Sequence, residues 1–96
     1  MDIINSVRIT YDPAKQAATL EARGLDFNSA AEVFSGLHYS FNDDRYDYGE
    51  TRKITVGYIG RRMVVMVWTQ RGEYRHIISL RKANVREQKY YKKELG

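Results

Sequence analysis

The stretch 74–87, YRHIISLRKANVRE, decides how this chain folds. It reads as a strand of alternating cationic and apolar residues that runs straight into a capped, basic helix. Side chains alternate between faces along a strand, which predicts Arg75, Ile77, Ser79 and Arg81 on one side and Tyr74, His76, Ile78 and Leu80 on the other. The first set is polar in character and the second resembles core. Asn84 then caps a helix, and Glu87, three residues on, can reach back to the cap's own N–H.

Working outward, residues 53–59 and 63–69 are rich in Ile, Val, Thr, Tyr and Trp, and the three strands are joined at Gly60-Arg61 and Arg71-Gly72. Two-residue turns at both joints fix a register. One face then carries Ile54, Val67 and His76 in a row, followed by Val56, Val65 and Ile78, then Tyr58, Met63 and Leu80. This nearly uncharged face is the expected core, with Val56, Val65 and Ile78 buried against Phe34 and His76 in a structural role. The opposite face carries Lys53, Trp68 and Arg75 in a row, then Thr55, Met66 and Ile77, then Gly57, Val64 and Ser79, with Arg62 near Arg81. That face is expected to be exposed.

Before the hairpins, residues 7–11 predict a short strand. Asp12 and Pro13 open a helix in which Ala14, Ala17 and Ala18 would let it lie close to a sheet, and Gly24 ends it. A second helix is capped by Asp26, presents Phe27, Ala30, Ala31 and Phe34 as one apolar face and stops at Gly36. Residues 38–41 predict an edge strand, and 42–52, NDDRYDYGETR, a polar loop. The expected fold is α+β: an antiparallel sheet of four to five strands with two N-terminal helices and one C-terminal helix.

Ninety-six residues suit one domain over 1–96. No run of 18 apolar residues predicts a membrane span, and 1–10, with acidic Asp2, does not read as a signal peptide. With no cysteine and two isolated histidines, neither a metal nor a cofactor is expected, and the cytosol is the expected compartment. The net charge of +4 is uneven: residues 71–96 hold eight Lys or Arg against three Glu, whereas 1–70 hold eight against nine acids. A basic end on a neutral body suits a polyanion such as RNA or an acidic protein. Lys89, Lys92 and Lys93 could equally be a solvated helix face.

Tyr11-Asp12-Pro13-Ala14-Lys15, the Phe27 to Phe34 helix, Tyr48-Gly49-Glu50-Thr51-Arg52, and Arg75 to Ala83 with Glu87 and Tyr90 stand in an order and spacing that carry a resemblance. Together they resemble the BrnT toxins of bacterial type II toxin-antitoxin systems, whose fold is similar to RelE and ParE. Where that family usually reads Asn-x-x-Lys-His-Gly, this chain has Thr19-Leu20-Glu21-Ala22-Arg23-Gly24. If the family histidine helps catalysis, Arg23 alters the activity here. The resemblance implies an endoribonuclease that arrests growth and a cognate BrnA-like antitoxin that forms a hetero-oligomer with it. It also implies contact with DNA only through the antitoxin.

The residues are compatible with this. Cleaving RNA without a metal requires activating the 2'-OH, stabilising charge on the phosphorane and protonating the leaving 5'-oxygen. Arg75 and Arg81 are planar forks suited to phosphate, Lys53 is a compact charge that could act as a base, and Glu50 is a second candidate base. These four are the expected catalytic residues. Trp68 offers a surface for a stacked base, and Arg52, Arg62 and Ser79 complete the expected RNA contacts. Alternatively, Trp68 covers apolar surface, Glu50 simply pairs with Arg52, and Arg75 and Arg81 bind antitoxin. The competing function is a non-enzymatic, ParE-like binding toxin or an inactive RNA- or protein-binding module.

Overall fold

The computed structural model describes residues 8–95. The expected strand start at Val7 lies outside them, as does most of the segment read as lacking a signal peptide. The elements are β1 (Ile9–Tyr11), α1 (Pro13–Arg23), a 3₁₀ turn (Phe27–Ser29) leading into α2 (Ala30–Ser35), β2 (Tyr39–Asn42), β3 (Arg52–Ile59), β4 (Arg62–Arg71), β5 (Tyr74–Lys82) and α3 (Val85–Leu95). The α+β fold stands, with strands ordered β1-β5-β4-β3-β2. The sheet is mixed rather than antiparallel, because β1 runs parallel to β5.

Local chemistry explains most boundaries. The Asp12 carboxylate accepts from Ala14 N at 2.9 Å, Pro13 fills the first turn, and Gly24 ends α1 in the left-handed region at φ 68°. Asp26 caps the 3₁₀ turn and Gly36 closes α2. The small residues of α1 do not pack as expected: none of its residues is buried, and Ala14, Ala17 and Ala18 are exposed. Polar tethers hold the helix instead. Gln16 donates to Asp26 and accepts from Phe27 N, both at 2.7 Å, and Arg23 Nη1 donates to Leu80 O at 2.9 Å.

The first hairpin turns at Gly60-Arg61, so Lys53 faces Trp68, Ile54 faces Val67, and Val56 faces Val65 as expected. The second turn falls one residue later, at Gly72-Glu73, with Arg71 paired to Tyr74. Trp68 consequently faces Ile77 and not Arg75, and His76 faces Thr69 and not Val67. Farther along, Trp68 pairs with Ile77 but Val67 with Ser79, leaving Ile78 as an extra residue in a bulge. A bulge reverses side-chain parity. Arg75 and Ile77 therefore share the Trp68 face with Leu80, whereas Ser79 and Arg81 lie on the Val65 and Val67 face.

Both faces are covered. Against one, Leu25, Phe27, Ala30, Val33 and Phe34 pack on Val64, Met66, Trp68, Ile77 and Leu80. Against the other, α3 brings Leu95 and Tyr91 onto Val56, Met63, Val65 and Ile54. The face expected to be exposed thus holds the larger core, and Phe34 is separated from Val56 and Val65 by the sheet. Ile78 is half-buried in the bulge. The buried polar groups are paired: Trp68 Nε1 donates to Thr55 Oγ1 at 2.7 Å, and Thr69 Oγ1 to Thr51 O at 2.7 Å.

At Gly57 the helix layer lies close against the sheet. A Cβ there would lie 2.8 Å from Val33 Cγ1 and 3.3 Å from Leu37 O. Gly57→Ala should therefore cost about 1–3 kcal/mol by overpacking. Thermal unfolding checks this, each kcal/mol lowering Tm by about 4–8 °C in a chain of this size. An unchanged Tm would mean that α2 does not press on β3.

Candidate active site on the α3 face

Where β5 hands over to α3, one carboxylate has two tasks. Asn84 N donates to Glu87 Oε1 at 2.9 Å and Glu87 N to Asn84 Oδ1 at 2.8 Å, which is the reciprocal cap expected from the sequence. Glu87 also accepts from Arg81, Nη1 to Oε1 at 2.7 Å and Nη2 to Oε2 at 2.8 Å. The Arg81 guanidinium, helped by the Asn84 N–H, holds the Glu87 carboxyl down to about 2, so it is ionised at neutral pH. Glu87 grips the end-on edge of the guanidinium. Among the described residues nothing engages the side-on edge, Nε with the second N–H of Nη2, and the side chain is 43% exposed.

The loop before β3 presents a second fork. Asp43, whose side chain is fully buried, accepts from Arg45 Nε and Nη2 at 2.8 Å each and from the Tyr48 hydroxyl at 3.2 Å. These bonds, the one to Arg45 first, keep the Asp43 carboxyl well below the usual carboxylate range. Arg45 is close enough for its charge to oppose that of Arg81. Here Asp43 takes the side-on edge and leaves the end-on edge. Tyr91 on α3 stacks on Phe41 at 6.1 Å; its pKa is raised, by burial first, so the phenol stays protonated and able to donate.

At the other end of this face, Glu50 pairs with Arg52 at 3.3 Å and Arg71 at 3.5 Å, and Arg52 lies 3.9 Å over the Tyr48 ring. Such long, partly exposed pairs contribute about 0–1 kcal/mol each. His76 is half-buried, with Nδ1 2.9 Å from the Thr10 hydroxyl. Its pKa is lowered, by burial first and then by Arg71. The imidazole is therefore neutral at pH 7 and can accept a proton.

The eight residues expected at the site separate by face. Glu50, Arg52, Ser79 and Arg81 are gathered on the α3 face. Lys53, Trp68, Arg75 and Arg62 lie on the opposite one. Trp68 is only 5% exposed, its ring edge-on to Phe34 at 5.2 Å, so it offers no platform for a base. The Arg75 guanidinium sits 4.3 Å over Phe34 and 4.8 Å over Trp68, closing the core, and Lys53 Nζ donates to Asn42 Oδ1 at 3.1 Å. The supposed RNA-facing row is a core row with charged ends. Sequence reasoning missed Arg45, in a segment read only as a loop, and Tyr91. His76 keeps the face expected of it, that of Ile54 and Val67, and the bulge beyond it moves Ser79, Leu80 and Arg81 instead. An Asp two residues before an Arg was the available signal for the Asp43–Arg45 clasp.

Fold and site together define a small, basic α+β protein whose α3 face carries carboxylate-held guanidiniums. Residues 11–87 match the profile of the ribonuclease toxin BrnT of type II toxin-antitoxin systems, and the chain belongs to that family. It is a ribonuclease toxin, and as a type II toxin it has a protein antitoxin. The crystal structure of the Brucella abortus ribonuclease toxin BrnT has a similar fold, with a TM-score of 0.66, 22% identity, and coverage of 81% of this chain and 97% of that one. No curated protein matches. Among the described residues no three His, Cys, Asp or Glu group as metal ligands, and no helix is long and apolar enough to cross a membrane.

Proposed function

We propose that the α3 face cleaves single-stranded RNA by attack of the 2'-OH on the adjacent phosphate, without a metal. The observation that carries this reading is the Arg81 guanidinium, held flat by Glu87 with one bidentate edge to spare. Two parallel N–H groups match two phosphate oxygens. Because Glu87 has already fixed the plane, little reorganisation is needed as charge builds on the phosphorane. Arg45 adds positive charge near Arg81, and Ser79 and Arg52 lie farther along the same face. The Tyr91 phenol, close enough to feel the Arg81 charge, is the donor to the leaving 5'-oxygen, and the 2'-OH proton leaves to water. His76 and Glu50 stand at the far end of the face, four residues along β4 from Arg81 or about 13 Å, and do not reach its phosphate.

The partner in this reading is a BrnA-like antitoxin that covers the basic face in a hetero-oligomer. DNA is reached only through it. A cytoplasmic site of action suits both partners in this reading.

The test is incubation of the purified chain with single-stranded RNA in EDTA from pH 5 to 8, with and without antitoxin. Cleavage should persist in EDTA and stop with antitoxin. Tyr91→Phe should slow it by about 10²–10⁴, since the proton donor to the leaving oxygen is lost. Loss of activity in EDTA would defeat the metal-free reading. An unaltered rate in Tyr91→Phe would remove the phenol from the mechanism.

A further inference from the structure

Beyond the α3 face, the β3–β4 hairpin tip, the α1–α2 connection and the β5–α3 junction meet around an open groove of about 610 Å³. Its rim carries Arg61, Arg62 and Lys82, and its floor includes Leu25 and Met63. Lys82 also borders a smaller notch of about 370 Å³ with Arg23 and Arg81. Groove and notch meet at Lys82, and among the described residues five cations and no carboxylate line them. Glu32 beside the hairpin tip accepts from Gly60 N at 2.6 Å, and Glu87 holds Arg81, so both carboxylates are engaged. Arg23 is fixed at the notch because β1 pairs only with residues 75–77 of β5, which leaves Leu80 O free for its Nη1.

We propose that this groove is a phosphate track that carries the backbone of the RNA strand away from Arg81. The inference rests on the Arg81 reading above and extends it to the flanking nucleotides. A run of cations along an open channel is suited to a polyanion of regular charge spacing. The floor argues against a protein partner here, because Leu25 and Met63 are buried and none of the large exposed apolar residues lines the groove. A protein interface draws its affinity from aromatic or apolar anchors seated in pockets. This groove recognises charge and not bases, so it should guide strands of any sequence.

Binding of a 12-nucleotide 2'-O-methyl RNA, which cannot be cleaved, is measured against salt for the full chain, for Arg61→Ala/Arg62→Ala and for Lys82→Gln. Arg61 and Arg62 are exposed at a hairpin tip whose turn depends on Gly60 at φ 62°, so the double variant should fold. Its slope of log K against log salt should shrink by about 1.4, two phosphates at about 0.7 each, and affinity in 0.1 M salt should fall on the order of tenfold. Lys82→Gln should remove about 0.7. Unchanged slopes in a chain that still cleaves RNA overturn the track alone. Unchanged slopes with lost antitoxin binding overturn it in favour of protein docking. A wild-type chain that neither binds nor cleaves RNA overturns the Arg81 reading and the track with it.

Discussion

Arg81→Ala should lower the rate of RNA cleavage by about 10²–10³, the loss seen when one preorganised donor to a developing charge is removed, or about 3 kcal/mol. Tm should move by only a few degrees. The Arg81–Glu87 pair is partly exposed, with side-chain exposures of 43% and 23%, so solvent screens much of its Coulomb energy. Glu87 keeps its bond to Asn84 N and remains a helix cap. Arg81→Lys separates charge from shape: an ammonium retains the charge but not the two parallel N–H groups, and it should restore little activity. Unfolding of Arg81→Ala would make the arginine structural, and wild-type cleavage would move the reaction elsewhere.

The largest effect on stability is expected at Trp68, the residue the sequence offered as a base-stacking platform. Trp68→Ala removes the ring packed on Phe34 and lying beneath Arg75, together with the indole donor to Thr55. Emptying such a site costs about 3–5 kcal/mol. Proteins of this size are stable by about 5–15 kcal/mol, so the variant should be partly unfolded near 37 °C or close to it. Trp68→Phe keeps most of the packing and loses only the hydrogen bond, about 1–3 kcal/mol. Thermal unfolding of both variants decides the matter. A Trp68→Ala chain with wild-type Tm and weaker RNA binding would restore the platform reading.

Signals within a few residues of one another were legible in the sequence. Asp12 with Pro13, Asn84 with Glu87 and the Gly60 turn are satisfied by near neighbours, so their chemistry can be read without knowing the rest of the fold. The resemblance to BrnT toxins supplied the ribonuclease reading. What failed depended on contacts distant in sequence. Charge avoidance on one face was taken as the mark of the core, although Thr55, Met66, Ile77 and Val64 on the other face are hardly less buriable. Gly57 within a strand was the clue that a second layer approaches there. The bulge at Ile78 has no signature in the run HIISLR, yet it decides that Arg81 parts from Arg75. Arg45 could not be ranked among the loop charges until the buried Asp43 was seen to hold it.

The most direct test of the account is the chemistry of the cut ends. A single-stranded RNA, and the same strand with one 2'-deoxy residue at the cleaved position, are incubated with the chain in EDTA and the products resolved. Attack by the 2'-OH within a guanidinium site predicts 2',3'-cyclic phosphate and 5'-hydroxyl ends from the first strand and no cut at that position in the second. A cut in the deoxy strand, or 5'-phosphate ends that appear only when a divalent metal is restored, would contradict it.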